Sequence, residues 1–142
     1  MSDAGRLATE FLTTTDAQDW RAREALFRAD GEFVTPMATL TGPAAMTAFS
    51  IGFMGAFSGV HHVLDHVVGE GDVAAVEGTW NGTHSGPLVT PAGEVAATGR
   101  SVELPFAAIV QTDGELITSV RIYFDQQAFA AQLGLIPESQ PA

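Results

Sequence analysis

The first third of the chain carries apolar residues at helical spacing, in two short stretches. Asp3 is a potential N-cap of the first helix, and the β-branched residues 13–15 predict that this helix ends there, because such side chains lose rotamer freedom in a helix. Asp16 is a potential N-cap of a second helix that ends at the turn dipeptide of Asp30 and Gly31. The two helices run through Leu7, Ala8, Phe11 and Leu12, and then through Trp20, Arg23, Leu26 and Phe27.

A third helix is predicted after the dipeptide of Gly42 and Pro43, since proline is tolerated at the first helical position. The preceding residues 32–40 alternate loosely and contain Pro36, which favours an edge strand or an irregular extended segment. A broad apolar face on the third helix suits packing on a sheet or the wall of a small-molecule pocket. Its members are Met46, Phe49, Ser50, Phe53 and Phe57.

From Gly59 onward the apolar and polar positions alternate with period two. Four runs predict strands at residues 60–68, 73–84, 95–111 and 115–125, with turn-forming residues between them. Connections this short join antiparallel neighbours, because a parallel pair needs a longer crossover. Helices followed by a strand meander predict an α+β fold, with a curved antiparallel sheet packed against the N-terminal helices.

The composition indicates one globular domain. The chain has 142 residues, of which 46% are hydrophobic and 16% charged, enough to bury a single core. We expect the domain to span residues 1–136, and the polar, proline-bearing residues 137–142 to form a frayed tail. Because no long apolar run or leader-like N-terminus is present, the sequence predicts a cytoplasmic protein without membrane association.

The charge and the missing residue types exclude several function classes. The net charge is -11, which repels phosphate backbones and anionic membranes, so we expect no nucleic-acid partner. The sequence has no cysteine and no lysine, which excludes thiol nucleophiles, cysteine–metal sites and lysine Schiff bases. It also lacks a glycine-rich phosphate loop and a serine nucleophile elbow.

Three histidines lie close together in the first predicted strand. Period-two spacing puts His62 and His66 on one face and His61 on the other, and no His-Glu-x-x-His motif is present. This pattern disfavours a metal site. His62, near the start of the strand, is retained as a candidate pocket residue.

Trp80 and His84 lie two period-two steps apart and therefore share a side of the second predicted strand. Histidine can transfer protons or, when neutral, donate a hydrogen bond to a developing oxyanion. A histidine at this position can equally be a turn residue that caps backbone groups of a loop. Both interpretations of His84 stay open.

Asp125 closes the last predicted strand, where the pattern changes to helical spacing. Aspartate before a helix is a common N-cap, but a carboxylate on a rigid strand end is also well placed for acid–base chemistry. Arg121 and Tyr123 have the same parity as Asp125, so this face is either solvated or the lining of a polar pocket. Arg121 could also simply pair with Asp125.

Several segments together resemble the SnoaL-like polyketide cyclase family in motif, order and spacing. They are Gly82-Thr83-His84-Ser85-Gly86, Ala97-Thr98-Gly99-Arg100, Asp113-Gly114-Glu115-Leu116-Ile117, and Tyr123-Phe124-Asp125 with Gln132-Leu133-Gly134. The family belongs to the superfamily of nuclear transport factor two and ketosteroid isomerase. The resemblance covers nearly the whole chain and implies a cystatin-like fold with a cone-shaped pocket between sheet and helices. It also implies a homodimer or homotetramer assembled through the sheet.

The same resemblance implies chemistry without a metal or organic cofactor. In such cyclases the aspartate at the end of the last strand, here Asp125, acts as general acid and base, with a histidine, here His84, beside it. A proton next to a carbonyl is removed, and a ring closes by intramolecular aldol addition on a hydrophobic, polyketide-like molecule. The remaining candidates for contact with the substrate are Trp80, Phe49, Phe53, Phe57, Phe106, Tyr123, Arg121 and His62.

Two other functions fit these features. One is an epoxide hydrolase or epoxide-opening cyclase, in which Asp125 activates water or a substrate hydroxyl. The other is a non-catalytic, small-molecule-binding dimer, in which Asp125 is only a cap. The interpretations differ in geometry: a cap directs its oxygens to amides near Ala128, whereas a catalytic carboxylate points into an apolar cavity near Trp80 and His84.

Overall fold

The computed structural model describes residues 3–90 and 92–136, and the predicted tail at 137–142 lies outside the described residues. None of the helices in this part of the chain is long and apolar enough to cross a membrane. The elements in chain order are α1 (Asp3–Asp16), α2 (Trp20–Ala25), β1 (Phe27–Val34), β2 (Thr39–Thr41), α3 (Pro43–Met54), β3 (Phe57–Glu70), β4 (Val73–His84), β5 (Leu88–Thr90), β6 (Gly93–Val95), β7 (Ser101–Asp113), β8 (Leu116–Phe124) and α4 (Gln126–Gln132).

A curved six-stranded sheet in the order β2-β1-β8-β7-β4-β3 carries the helices on its inner face. The strands β3, β4, β7 and β8 form the predicted antiparallel meander, which confirms the α+β fold. Strand β1 joins β8 in parallel, so the sheet is mixed at this edge. The prediction that the second helix reaches Asp30 and Gly31 is wrong: both residues lie in β1, where the register to β8 shifts between Phe27 and Glu32.

Helix α1 continues through the threonines at which it was predicted to end. The hydroxyls of Thr13, Thr14 and Thr15 donate to backbone carbonyls one turn earlier at 3.0, 2.7 and 2.6 Å, which satisfies them inside the helix. The N-cap of α2 is Asp19, which accepts from the Ala22 amide at 3.2 Å. The prediction that Asp16 caps this helix is therefore wrong, and its carboxylate is available for another contact.

The boundaries of the later elements match the pattern to different degrees. Strand β4 covers the predicted residues 73–84, and α3 begins at Pro43. The helical assignment of Phe57 is wrong, because this residue starts β3. The predicted strand at 95–111 begins later, at Ser101, since the chain first forms the separate hairpin of β5 and β6.

The main core lies between the inner face of the sheet and α1, where alternate strand residues are buried. Strand β3 bends closely over β4 at Gly78, where an added Cβ would lie 2.1 Å from the Val63 carbonyl oxygen. A register shift between Leu64 and His66 follows in the same strand. This bulge turns His66 to the exposed face, so the prediction that His62 and His66 share a face is wrong.

Candidate functional site

An apolar cavity of about 100 Å³ lies between the helices and the inner face of the sheet. Aromatic and aliphatic side chains dominate its wall, and the polar exceptions are Thr15, Arg23, Thr35 and His62. A wider space of about 470 Å³ adjoins it towards α4 and β5. The residues common to both walls are Met37, Phe49, Phe53 and Phe129. Among the described residues, no carboxylate lines the inner cavity.

Five of the sequence-predicted contact residues line this cavity: His62, Trp80, Phe49, Phe53 and Phe106. Phe57 does not. Its ring lies behind that of Trp80, edge to face, with the centroids 4.9 Å apart. It thus supports the wall without forming part of it.

Asp125 lies outside the cavity and is exposed. Its Oδ1 accepts hydrogen bonds from the backbone amides of Gln127 and Ala128, at 2.9 and 3.1 Å, and so caps α4. The preceding residue, Phe124, lines the cavity, and strand alternation directs the Asp125 side chain elsewhere. The geometry is the one predicted for a cap and favours that interpretation over the catalytic one.

The capping role predicts different effects for two substitutions of Asp125. Asp125→Ala is expected to lower the free energy of unfolding by about 1 kcal/mol, whereas Asp125→Asn retains a good cap and changes stability by a few tenths. Urea denaturation measures both variants. Loss of turnover in Asp125→Asn at unchanged stability would instead restore the catalytic interpretation.

Arg121 and Tyr123 lie on the outer face of β8 and are exposed, whereas Ile122 and Phe124 line the cavity. The expectation that these two polar residues contact a ligand in the cavity is therefore not met, because alternation puts them on the opposite side of the sheet. Within the described residues, Arg121 also forms no salt bridge with Asp125. Assembly of subunits through this outer face stays a prediction.

His84 is fully buried behind the cavity wall, with its ring centroid 5.3 Å from that of Phe57. Its Nδ1 accepts from the backbone amide of Thr98 at 3.1 Å, and the Thr98 hydroxyl lies 3.0 Å away. A neutral ring that accepts at Nδ1 carries its proton on Nε2, which has no hydrogen-bond partner within the described residues. His84 is therefore placed to hold the loop around Thr98, as the alternative interpretation predicts.

His62 in the cavity wall and Asp16 form a partly buried pair. The Asp16 carboxylate contacts His62 twice: Oδ1 lies 2.6 Å from the ring Nδ1, and Oδ2 accepts from the backbone amide at 2.8 Å. The His62 side chain is 9% exposed, and its ring packs edge to face on Phe106. The sequence pattern indicates His62 as a pocket residue but not Asp16, because the local pattern at Asp16 is that of a helix cap.

Arg23 is a second polar group in the wall. It is 1% exposed, and its terminal nitrogens donate to the hydroxyls of Thr15 and Ser50 at 3.2 and 2.8 Å. Burial lowers the pKa of the Arg23 guanidinium from 12.5 to about 10, against the opposing effect of Glu24. The side chain therefore remains charged at neutral pH. An arginine with apolar neighbours at helical spacing was the sequence feature that could have revealed it.

The charge-bearing and titratable groups of the wall come from the helical layer and from β3. Arg23 belongs to α2, and His62 is oriented by Asp16 at the end of α1. Within the described residues, no group of three or more potential ligands is placed to hold a metal ion. The arrangement offers one histidine for proton transfer and one cation for a negative charge, in an apolar cavity.

A curved sheet closed by helices over an internal cavity places the protein in the class with the ketosteroid isomerase-like fold. The chain belongs to the SnoaL-like domain family, whose pattern matches residues 8–120. The resemblance drawn from the sequence motifs is thereby confirmed. None of the curated proteins compared with the chain matches it.

Solved structures with the same architecture cover nearly the full length. A protein with a ketosteroid isomerase-like fold from Catenulispora acidiphila DSM 44928, in complex with trimethylamine, is 25% identical with a TM-score of 0.77, covering 95% of this chain and 97% of that chain. A protein named as a SnoaL-like polyketide cyclase from Jannaschia sp. CCS1 is 17% identical with a TM-score of 0.83, covering 95% and 94%. TsrD from Streptomyces laurentii is 22% identical with a TM-score of 0.80, covering 94% and 96%.

Proposed function

We propose that the protein is an enzyme of the cyclase or isomerase type, which moves a proton at a carbon next to a carbonyl in a small hydrophobic molecule. His62 is the proton-transferring group in this proposal. The observation that carries it is His62 in the wall of a mainly apolar cavity, with the Asp16 carboxylate at its Nδ1. Family membership and the polyketide cyclase name of a structural neighbour support the same class of reaction.

The contacts of Asp16 suit His62 for this role. A carboxylate beside Nδ1 holds the proton on that nitrogen and leaves the Nε2 lone pair as the base. Among the described residues, no hydrogen bond is made to Nε2. The second contact of Asp16, to the His62 backbone amide, fixes the strand and the ring against the same anchor.

Proton removal by Nε2 gives an imidazolium and an enolate, and two outcomes conserve atoms and charge. If the imidazolium returns the proton to a different carbon of the delocalised anion, the product is an isomer. If the enolate carbon attacks a second carbonyl of the same molecule, a new C–C bond closes a ring, and the imidazolium protonates the resulting alkoxide. Apolar walls that hold the substrate in a folded conformation favour ring closure, because they keep its two reacting carbons close together. Such proximity can supply a large part of the reduction in the activation barrier.

The volumes of the two spaces suit a substrate whose reacting part lies in the inner cavity and whose larger remainder lies in the adjoining space. Ligand pockets typically measure about 300–1,000 Å³, so the inner cavity of about 100 Å³ holds only part of a substrate. The adjoining space of about 470 Å³ is large enough for the remainder. The side chains of Phe53 and Phe129 contribute to both walls, and rotation of such side chains would join the spaces.

The structure supports the epoxide alternative less well than the sequence does. It assigned activation of water or hydroxyl to Asp125, whose carboxylate caps α4 outside the cavity. A non-catalytic binding protein is the outcome that the following experiment separates from an enzyme.

The test is hydrogen–deuterium exchange at carbon next to a carbonyl. Acetophenone, 1-indanone and 2-tetralone are incubated with the protein in D₂O, and loss of the α-hydrogen signal is followed by proton NMR. We expect exchange above the buffer rate for at least one ketone. Saturable binding of these ketones without any increase in exchange would favour the non-catalytic function and contradict the proposal.

A further inference from the structure

Arg23 is a buried cation without a carboxylate partner among the described residues. No Asp or Glu oxygen in residues 3–90 and 92–136 lies within 4.0 Å of its guanidinium. The adjacent Glu24 accepts instead from the Thr47 hydroxyl at 2.6 Å. A buried charge without a counter-ion is unfavourable, and proteins ordinarily pair it. The absence of such a pair in the wall of a cavity points to a ligand as the missing partner.

The groups that do contact Arg23 orient it without neutralising it. The terminal nitrogens donate to two neutral hydroxyls, those of Thr15 and Ser50. The rings of Trp20, Phe11 and Phe33 lie with their centroids 4.8, 5.4 and 5.9 Å from the Arg23 Cζ. These aromatic contacts offset part of the lost hydration of the cation. The guanidinium is thus held rigidly at the cavity with its positive charge intact.

We propose that Arg23 binds an anionic group of the substrate, so that the substrate class is a small hydrophobic acid: a carboxylic acid, or an enol acidic enough to be ionised at neutral pH. This inference rests on the proposed function, because it identifies the molecule on which His62 acts. A guanidinium presents its donors in a planar fork that matches two oxygens of one anion. Two of its five N–H groups donate to Thr15 and Ser50, and the other three have no hydrogen-bond partner among the described residues.

The anchors of Arg23 and His62 are successive residues. Thr15 accepts from Arg23, and Asp16 holds His62. Both Arg23 and His62 also line the inner cavity, so the two functional groups face the same space. A single small molecule can therefore place its anionic oxygens at Arg23 and the hydrogen to be removed at His62. An aromatic acid that also carries a ketone has both features: its carboxylate would bind Arg23, and the hydrogen next to its ketone would lie at His62.

The first test compares two acids with their neutral counterparts on the wild-type protein. Dissociation constants are measured by calorimetry for benzoate against benzamide and for 2-naphthoate against 2-naphthamide. A charge-assisted hydrogen bond to a buried guanidinium predicts that at least one acid binds about tenfold to a hundredfold more tightly than its amide. If neither acid binds more tightly than its amide, the proposal is overturned, whatever the variants show.

The second test assigns the preference to Arg23. In Arg23→Met the affinity for each acid is expected to become about equal to the affinity for its amide. Arg23→Lys, which keeps the charge but not the planar fork of donors, should retain part of the preference for acids. Arg21→Met is the matched control: it removes the same charge from the same helix at an exposed position, and the preference should remain. A preference that persists in folded Arg23→Met would place the anion elsewhere. If Arg23→Met does not fold, Arg23→Lys and the wild-type comparison decide.

The same measurements separate anion binding by Arg23 from proton transfer by His62. His62→Gln is expected to keep the preference for acids while losing α-hydrogen exchange. Exchange of neutral ketones by a wild-type protein that shows no preference for acids would leave His62 in place and remove only the role of Arg23. A preference for acids without exchange would leave an anion-binding protein and remove the reaction.

Discussion

Replacing His62 by glutamine is expected to lower the rate of α-hydrogen exchange by about 10²- to 10⁴-fold, the usual contribution of a positioned general base. Glutamine is polar and of similar length, and its amide can still donate to Asp16, but it cannot accept a proton from carbon. The wild-type and variant rates are compared by proton NMR in D₂O on the ketone that exchanges fastest. Circular dichroism melts of both proteins check that the fold is unchanged.

His66→Gln is the matched control on the same strand. His66 also lies beside a carboxylate, with Nδ1 at 3.0 Å from Glu77, but its side chain is 71% exposed on the outer face. Its replacement should leave the exchange rate unchanged. Asp16→Asn should shift the rate towards the His62→Gln value, because an amide no longer selects the Nδ1–H tautomer. Full activity of a folded His62→Gln protein would remove this histidine from the mechanism.

The strands and the third helix could be predicted because their information is local. In β4, exposed and buried residues alternate from Val73 to Gly78, and turn residues precede the strand, so pattern and structure agree. Pro43 marks the start of α3 for an equally local reason. The parallel pairing of β1 with β8 joins residues about 90 positions apart, such as Phe27 and Ile117, and no local pattern specifies it.

The polar residues of the candidate site were harder to assign because their partners are distant in sequence. Asp16, Asp19 and Asp125 each precede a helix or a turn, and the local rule describes all three as caps. Only Asp19 and Asp125 use their carboxylates in this way. Asp16 instead contacts His62, which lies 46 residues away. Residue type and position within an element could not separate these cases.

One irregularity in β3 also decides which histidine faces the helices. Strict alternation puts His62 and His66 on the same side, but the register against β4 shifts after Leu64, and a shift of one residue reverses the side on which all later residues lie. His62 precedes the shift and lines the cavity. A bulge of this kind depends on the fit between two strands, which the sequence of one strand does not reveal.

Gly78→Ala is expected to lower the free energy of unfolding by about 3 kcal/mol or more, at the upper end of overpacking effects. An alanine Cβ at this position would lie 2.1 Å from the Val63 carbonyl oxygen and 3.2 Å from the Leu64 Cα, and both are backbone atoms that cannot rotate away. For a chain of this size, the change corresponds to a melting temperature lower by about 6–12 °C. Because Val63 directly follows His62, relief of the clash by separation of β3 from β4 would also displace the histidine from its cavity.

Gly52→Ala is the matched control, with the opposite expected sign. Gly52 lies inside α3, and a Cβ added there has no neighbouring atom within 4 Å in the part of the chain that the structure describes. Alanine should therefore raise stability by about 0.5–1 kcal/mol through helix propensity alone. Both variants are measured by calorimetry together with α-hydrogen exchange. A Gly78→Ala protein with wild-type stability and wild-type exchange would show that the close approach of β3 to β4 is not what fixes His62, and the curvature of the sheet would have to be maintained by the helices instead.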